Sequence, residues 1–510
     1  MQRTPSPVAS PLPRASIVRS TAWNIAGLVT PLLVALFAIP VLIKSLGVDR
    51  FGILNLAWML IGYFSLFDLG IGRALTKLVA ERLGEGRHAD VPGLVWMALS
   101  LMLALGVIGA VVMAALSPWL TRDVLEMPIE YREEARNTFL VLAISLPVVI
   151  STSALRGVLE AYQRFDLVNL IRIPFGVFMF VGPLFVLPFT RNLTVVVAVL
   201  MLGRIVSWVA HYRACLSVAP ELRAGRSAKL EAAGPLLRFG SWMSVSNLLG
   251  PVMVYLDRFV IGAMLTTAAV AYYTTPYEIV TKLWIVPGAV LGGLFPALAA
   301  TLVADRQAAV ALFERGANAV LVLVFPAALL LVAFAPEGLT LWLGPDFAAH
   351  SAAAGSWLAV GVFVNCLGHV AFALVQAAGR PDVTAKLHLI ELPMYLALLA
   401  WLLPRNGIVG AAQAWAIRAL VDTSLLFLLA QRYVGRGRAL RNFVLAMLFS
   451  LSAFGLAVLP DHAYARGAMV CVLLLVFGAL AWRVLLAPAD RSFALARLDA
   501  ALRFARRGKQ

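Results

Sequence analysis

The chain has 510 residues, of which 61% are apolar and 13% charged, with a mean hydropathy of +0.89. That excludes an ordinary water-soluble fold, where about half the residues are apolar and about a quarter charged. The net charge of +16 would suit nucleic acid, but the basic residues fall between apolar runs rather than on a soluble domain, so a membrane protein with no nucleic-acid partner is expected. Three cysteines, Cys215, Cys366 and Cys471, stand far apart in apolar segments. They offer neither a disulfide framework nor a metal-type spacing.

Taken in order, residues 1–20 carry Pro5, Pro7, Pro11 and Pro13 with Arg3, Arg14 and Arg19 and predict a disordered cytosolic tail. No small-residue cleavage site follows promptly, and the next apolar run is long enough to span. At roughly 20 apolar residues per crossing, the sequence predicts about fourteen transmembrane helices in an all-α polytopic fold. They fall near 21–43, 53–80, 92–117, 137–160, 168–189, 194–218, 239–265, 271–300, 312–335, 351–378, 387–403, 408–432, 441–459 and 467–486. The connections are short, so no soluble domain is inserted. One set of loops, near 77–91, 161–167, 211–238, 301–316, 379–386 and 431–441, together with both tails, holds roughly three times as many Lys and Arg as the opposite set. Both termini are therefore expected in the cytoplasm.

The two halves echo each other. TAWNIAGLVTPLLVALFAIPVLI around Trp23 resembles GSWMSVSNLLGPVMVYLDRFVIG around Trp242, and Pro31 and Pro251 recur at nearly the same offset. AALSPWL at 114–120 similarly echoes EGLTLWL at 337–343. An even number of helices per copy gives both copies one topology, as in a two-lobed transporter with a central cavity. The expected organisation is an N-terminal lobe of six helices over 21–218, a cytoplasmic linker 219–238, a C-terminal lobe of six over 239–432, two further helices over 441–486, and a basic amphipathic tail 487–510.

Within the spans, charge is costly unless it faces a protein interior or water. The stretch FGILNLAWMLIGYFSLFDLGIGRALTKLVAERLGE (51–85) combines a membrane-length apolar run with Asp68, Arg73 and Lys77, and Gly70 and Gly72 thin the helix between those charges. Asp68, Arg73, Arg204, Lys282, Arg418 and Asp422 lie nearest mid-helix. Arg156, Glu160, Arg172, Asp257, Arg258, Glu278 and Glu391 lie nearer an end. Spacing of four puts Arg73 with Lys77, Arg156 with Glu160, Glu278 with Lys282, and Arg418 with Asp422 on shared faces. For the opposite-sign pairs a purely structural pinning role competes with a functional one. Arg73, Lys77 and Arg204 have no evident local counterion, and surplus cations in a cavity suit an anionic substrate, because guanidinium forks bind phosphate oxygens bidentately. The candidate cavity cations are thus Arg73, Arg204, Lys282 and Arg418. Asp68, Asp422 and Glu278 are candidate supporting or ion-coupling acids, with Lys77, Arg156, Arg172, Asp257 and Arg258 as secondary candidates. His211, His369 and His388 are more simply structural hydrogen-bonders than proton carriers. GxxxxGK[ST], HExxH and GxSxG motifs are missing, which leaves no ATP site of that kind, no metal site and no hydrolase. No cofactor is expected; if transport is driven, either an ion gradient, of H+ or Na+, or substrate consumption must drive it.

KSLGVDRFGILNL followed by FSLFDLGIGRALTKLVAERLGEG resembles the opening of the bacterial polysaccharide-biosynthesis flippases, the O-antigen and exopolysaccharide exporters of the multidrug/oligosaccharidyl-lipid/polysaccharide superfamily. ALRGVLEAYQRFDLVNLIRIP (154–174), YLDRFVIGAML (255–265), LTLWLGPDFAAHSAAAGSWLAVG (339–361) and the QAAGRPDVTAK turn (376–386) extend the resemblance over residues 20–435. It implies a non-enzymatic flippase of the bacterial inner membrane that moves polyprenyl-pyrophosphate-linked oligosaccharide to the periplasmic leaflet by alternating access. Membrane lipids, a polysaccharide polymerase and glycosyltransferases are the implied partners. A lipid II flippase or a cation-coupled multidrug extruder of the same superfamily is the near alternative. A non-transporting scaffold for polysaccharide enzymes is the distant one. Mid-span bases outnumber mid-span acids, which weighs against an extruder of cations.

Overall fold

A computed structural model describes residues 30–31, 33–65, 70–224, 256–435 and 438–485, with the single positions 234 and 491; of 61–65, 224, 293, 296, 303–304, 381 and 438–439 it describes the backbone only. The expected tails, Asp68, most of the expected linker and most of the two segments around Trp23 and Trp242 lie outside the described residues. Among the described residues every regular element is helical. The chain divides into two compact units, Met1–Ala271 and Tyr272–Gln510.

The first unit contains α1 (Leu33–Leu46), α2 (Val48–Ser65), α3 (Ile71–Gly84), α4 (Val91–Trp119), α5 (Ile129–Ala161), α6 (Phe165–Val186) and α7 (Leu193–Val218). The single helix expected over 53–80 is two helices, because the backbone turns at Gly70 (φ 67°, ψ 5°), a left-handed conformation that glycine enters without a Cβ penalty. The start of α7 is set by Asn192, whose side chain accepts the N–H groups of Thr194 and Val195. Helix α5 is the centre of this unit and packs on α2, α3, α4 and α7. Its Ile150, Ala154 and Val158 meet Ile71 and Leu75 of α3 and Val95, Ala98 and Met102 of α4 in one buried cluster.

The second unit begins within α8 (Thr267–Val280), which passes through a short 3-10 turn into α9 (Ile285–Ala304). There follow α10 (Arg306–Ala333), the short α11 (Ala335–Leu343), α12 (Pro345–Ala377), α13 (Pro381–Val434), α14 (Arg438–Val458) and α15 (Ala463–Leu480). Helix α12 is the buried centre, packed on α9, α10, α11 and α13. Phe325 of α10 knits the unit together, its ring centre 4.2 Å from Phe477 of α15 and 6.1 Å from Phe363 of α12.

The 54-residue α13 is two spans. Gly407 within it has φ 57° and ψ −143°, and His388 and Asp422 on either side approach to 3.7 Å. A straight helix would hold those two residues about 50 Å apart. The run therefore folds back at Gly407 into an antiparallel hairpin, matching the separate helices expected over 387–403 and 408–432.

By length and composition, nine helical segments among the described residues can cross a membrane. The stretch containing α4 has a mean hydropathy of 2.5, yet only 22% of it is buried in the protein. Val107, Ile108, Val111 and Val112 stand on its outer surface. Apolar surface of that extent needs lipid rather than water around it. The protein is an all-helical, multi-pass membrane protein.

Candidate functional site

In the first unit, Arg204 of α7 is a deeply set cation. Its guanidinium lies over the Phe175 ring of α6, 5.3 Å from the centroid, and its Nε is buried without a hydrogen bond. Among the described residues no carboxylate lies within ion-pair distance of it. An aromatic face supplies part of the missing negative potential, but it leaves the guanidinium fork available to an oxyanion. Of the other candidates of this unit, Arg73, Lys77, Arg156 and Arg172 are exposed. Lys77 pairs with Glu81 at 3.7 Å, so the counterion that the sequence left open is one turn along its own helix. Arg156 pairs with Glu160 at 3.5 Å with half its side chain exposed. Arg73 and Arg172 are exposed on α3 and α6. Asp257 and Arg258 are fully buried and pair with each other, Oδ1 accepting from Nη1 at 3.3 Å and from the Arg258 backbone N–H at 2.8 Å.

In the second unit, Glu278 and Lys282 form an i,i+4 pair at 3.2 Å, both about half exposed. Arg418 and Asp422, also four apart, do not form the pair that their spacing suggested. Arg418 is buried and lies over Tyr395, 5.6 Å from the ring centroid, and its Nε makes no hydrogen bond. Asp422 is directed across the α13 hairpin to His388 Nε2. Beside them Glu391 is 2% exposed, and neither of its carboxylate oxygens has a hydrogen-bond partner among the described residues. His388, Glu391 and Asp422 bring one nitrogen or oxygen each within 4.8 Å of one another, and Arg418 stands within electrostatic reach of Glu391 and His388. His369 of α12 faces Asp422 at longer range, while its own Nδ1 bonds the Asn365 carbonyl.

The structure thus gathers Arg418 and Asp422 of the sequence candidates and adds Glu391, His388 and Tyr395. The signal for those three was present: positions 388, 391 and 395 repeat at the i, i+3, i+7 spacing of one helical face. Lys282 and Glu278 belong to the same unit but are satisfied by each other.

The chain has recognisable relatives. It is 29% identical over 419 residues to a Shigella flexneri protein named as an O-antigen transporter, covering 81% of this chain and 97% of that one. A Haloferax volcanii protein named as a low-salt glycan biosynthesis flippase is 24% identical over 394 residues, covering 75% and 76%. Among solved structures, an inward-facing multidrug-resistance MATE transporter of the MOP superfamily superposes with a TM-score of 0.68 at 18% identity, covering 82% of this chain and 99% of that one. The lipid II flippase MurJ in an inward closed conformation gives 0.67 at 12% identity, covering 91% and 99%. At those identities the two structures speak for the fold alone. Residues 17–302 match the family of polysaccharide biosynthesis proteins, and with more than half its length so matched, the chain belongs to that family.

Proposed function

We propose that the protein is a flippase for a polyprenyl-pyrophosphate-linked oligosaccharide, moving it from the cytoplasmic to the periplasmic leaflet of a bacterial inner membrane by alternating access, with both termini in the cytoplasm. The observation that carries this reading is the presence, in a chain of this family, of two deeply set guanidinium groups that rest on aromatic rings rather than on carboxylates: Arg204 on Phe175 and Arg418 on Tyr395. A guanidinium deep in a span with no carboxylate in ion-pair contact is costly, and a diphosphate that it binds through two parallel N–H···O bonds accounts for its presence there. Arg73 and Lys282 join them as surface-accessible cations that engage the same head group earlier or later in the passage. Glycosyltransferases supply the lipid-linked sugar, and a polymerase receives it.

The test is a deletion strain. Its polyprenyl lipids are extracted, and a membrane-impermeant glycosidase applied to oriented vesicles reports which leaflet holds the accumulated lipid-linked sugar. Accumulation on the cytoplasmic face is expected. Accumulation on the periplasmic face, or none, overturns the reading, and the latter result favours a multidrug extruder.

A further inference from the structure

We propose that His388, Glu391 and Asp422 form a site for one proton, and that its loading and release drive the transport step. The second half of that statement rests on the flippase reading above; the first does not. Glu391 is 2% exposed and Asp422 4%, and the carboxylate oxygens of Glu391 and Oδ1 of Asp422 have no hydrogen-bond donor among the described residues. The three groups place one polar atom each within 4.8 Å of one another, with His388 Nε2 3.7 Å from Asp422 Oδ1. Carboxylates left without donors in an apolar interior are rare in folded proteins, and each calls for an explanation.

The charge balance supplies one. With both carboxylates ionised, His388 neutral and Arg418 charged, the cluster carries a net charge of −1, and the two carboxylates and Arg418 are buried. Uncompensated charge in that setting is strongly unfavourable, and two carboxylates sharing a site do not both ionise freely. One monovalent cation brings the cluster to neutrality, whereas a divalent ion would leave it at +1. The donor set then decides between an alkali ion and a proton. Imidazole nitrogen is a ligand for transition metals and a poor one for hard cations, yet it exchanges a proton near neutral pH. A proton held between Glu391 and Asp422 makes a carboxyl–carboxylate hydrogen bond, and His388 is placed to take that proton from Asp422 and pass it on.

Among the described residues, the groups facing the site come from two helices. Helix α12 contributes His369 at longer range and Phe372, whose ring stacks on His388 with centroids 6.1 Å apart. Helix α13 contributes His388, Glu391 and Tyr395 from one arm and Arg418 and Asp422 from the other. Because the site bridges the two arms of the hairpin, its protonation state alters the electrostatic attraction between them. That is the property a proton needs if it is to act on helix geometry.

The experiment is an infrared pH titration of the full-length protein reconstituted in lipid, following the carbonyl stretch of protonated carboxylic acids. Wild type is expected to show a band lost on alkaline titration. Glu391→Gln and Asp422→Asn should each remove it, His388→Gln should shift its titration, and Asp382→Asn, at the exposed start of α13, should leave it intact. Monodisperse elution confirms that the variants are folded. A band unaffected by both Glu391→Gln and Asp422→Asn overturns the site. Loss of the band on adding Na+ but not K+ overturns the proton in favour of an alkali ion. If the band behaves as expected but Glu391→Gln cells make normal surface polysaccharide, the proton site stands and its coupling to transport falls. This readout needs no transported substrate, so the site and the flippase reading fail independently.

Discussion

Arg50 Nε donates to Glu134 Oε2 at 3.1 Å, and one of its η nitrogens forms an ion pair with the same oxygen at 3.0 Å. The other carboxylate oxygen of Glu134 accepts the Leu193 backbone N–H, and the Arg50 guanidinium lies over Tyr131, 4.9 Å from the centroid. One carboxylate therefore ties the starts of α2, α5 and α7 together at a single end of the first unit. Glu134 is only 10% exposed, so little water can replace it. Glu134→Ala should destabilise the unit by about 1.5–3 kcal/mol, the range for charge-assisted hydrogen bonds whose partner is left behind. Glu134→Gln, which keeps an acceptor for Leu193, should lose less. Thermal unfolding in detergent is expected to rank wild type above Gln above Ala, and an Ala variant as stable as wild type would show the clamp to be incidental.

The sequence made the spans readable because a membrane helix must be apolar along its whole length, and that is a one-dimensional property. The hairpin at Gly407 was readable too, from the polar turn RNG between two apolar runs. Depth was harder to read. The span expected from 387 puts Glu391 near a helix end, but α13 begins at Pro381, which puts Glu391 about three turns inside. The pairing of Arg418 with Asp422 was expected from spacing alone. In that order, base before acid, an i,i+4 pair is the poorer orientation, and Asp422 instead meets His388 from the other arm. Glu278 and Lys282, acid first, do pair. Contacts across a hairpin are set by how two faces meet, and a single helix's periodicity does not encode that.

Gly407 should tolerate no side chain. Its φ of 57° with ψ of −143° lies in a region reached essentially by glycine alone, and forcing another residue there costs about 1–3 kcal/mol. Gly407→Ala is expected to lower the protein's thermal stability and its level in the membrane. It should also weaken the His388–Asp422 approach, since the turn sets the register of the two arms. A Gly407→Ala variant that accumulates and melts like wild type would mean that the turn relaxes freely.

Outside the spans, Tyr162 gives a pH prediction. Its hydroxyl donates to Glu221 Oε1, linking the end of α5 to the segment after α7. Burial first, and then the hydrogen bond to Glu221, push the phenol well above its ordinary value of 10.0. A group whose folded value is raised contributes stability that is fully present below the unfolded value and is lost as pH rises toward the folded one. The difference in melting temperature between wild type and Tyr162→Phe should therefore stay constant from about pH 6 to 9 and shrink above about 10. In the plateau it should reflect about 0.5–1.5 kcal/mol, the net contribution of one hydrogen bond. A difference that grows with alkaline pH would contradict the assignment.

The sharpest functional contrast is between Arg204 and Lys282. Arg204 lies within a span and Lys282 in the 3-10 turn between α8 and α9. Lys282 is 41% exposed and already held by Glu278, while among the described residues Arg204 has the Phe175 face and no ion pair. If Arg204 binds the diphosphate through its fork, Arg204→Ala removes a charge-assisted contact of about 1.5–3 kcal/mol, which is about a 10- to 100-fold loss in affinity. Arg204→Lys keeps the charge but not the planar fork or the ring stacking, so it should recover only part of that loss. Lys282→Ala should cost several-fold at most. The measurement is surface polysaccharide per cell, normalised to protein in the membrane, with lipid-linked sugar assayed in parallel. Arg204→Ala is expected to abolish polymer while precursor accumulates on the cytoplasmic leaflet, and Arg418→Ala should behave alike. Full activity in Arg204→Lys together with none in Lys282→Ala would reverse the assignment, because it would mean that charge alone suffices at Arg204 and that the exposed lysine, not the buried guanidinium, holds the substrate.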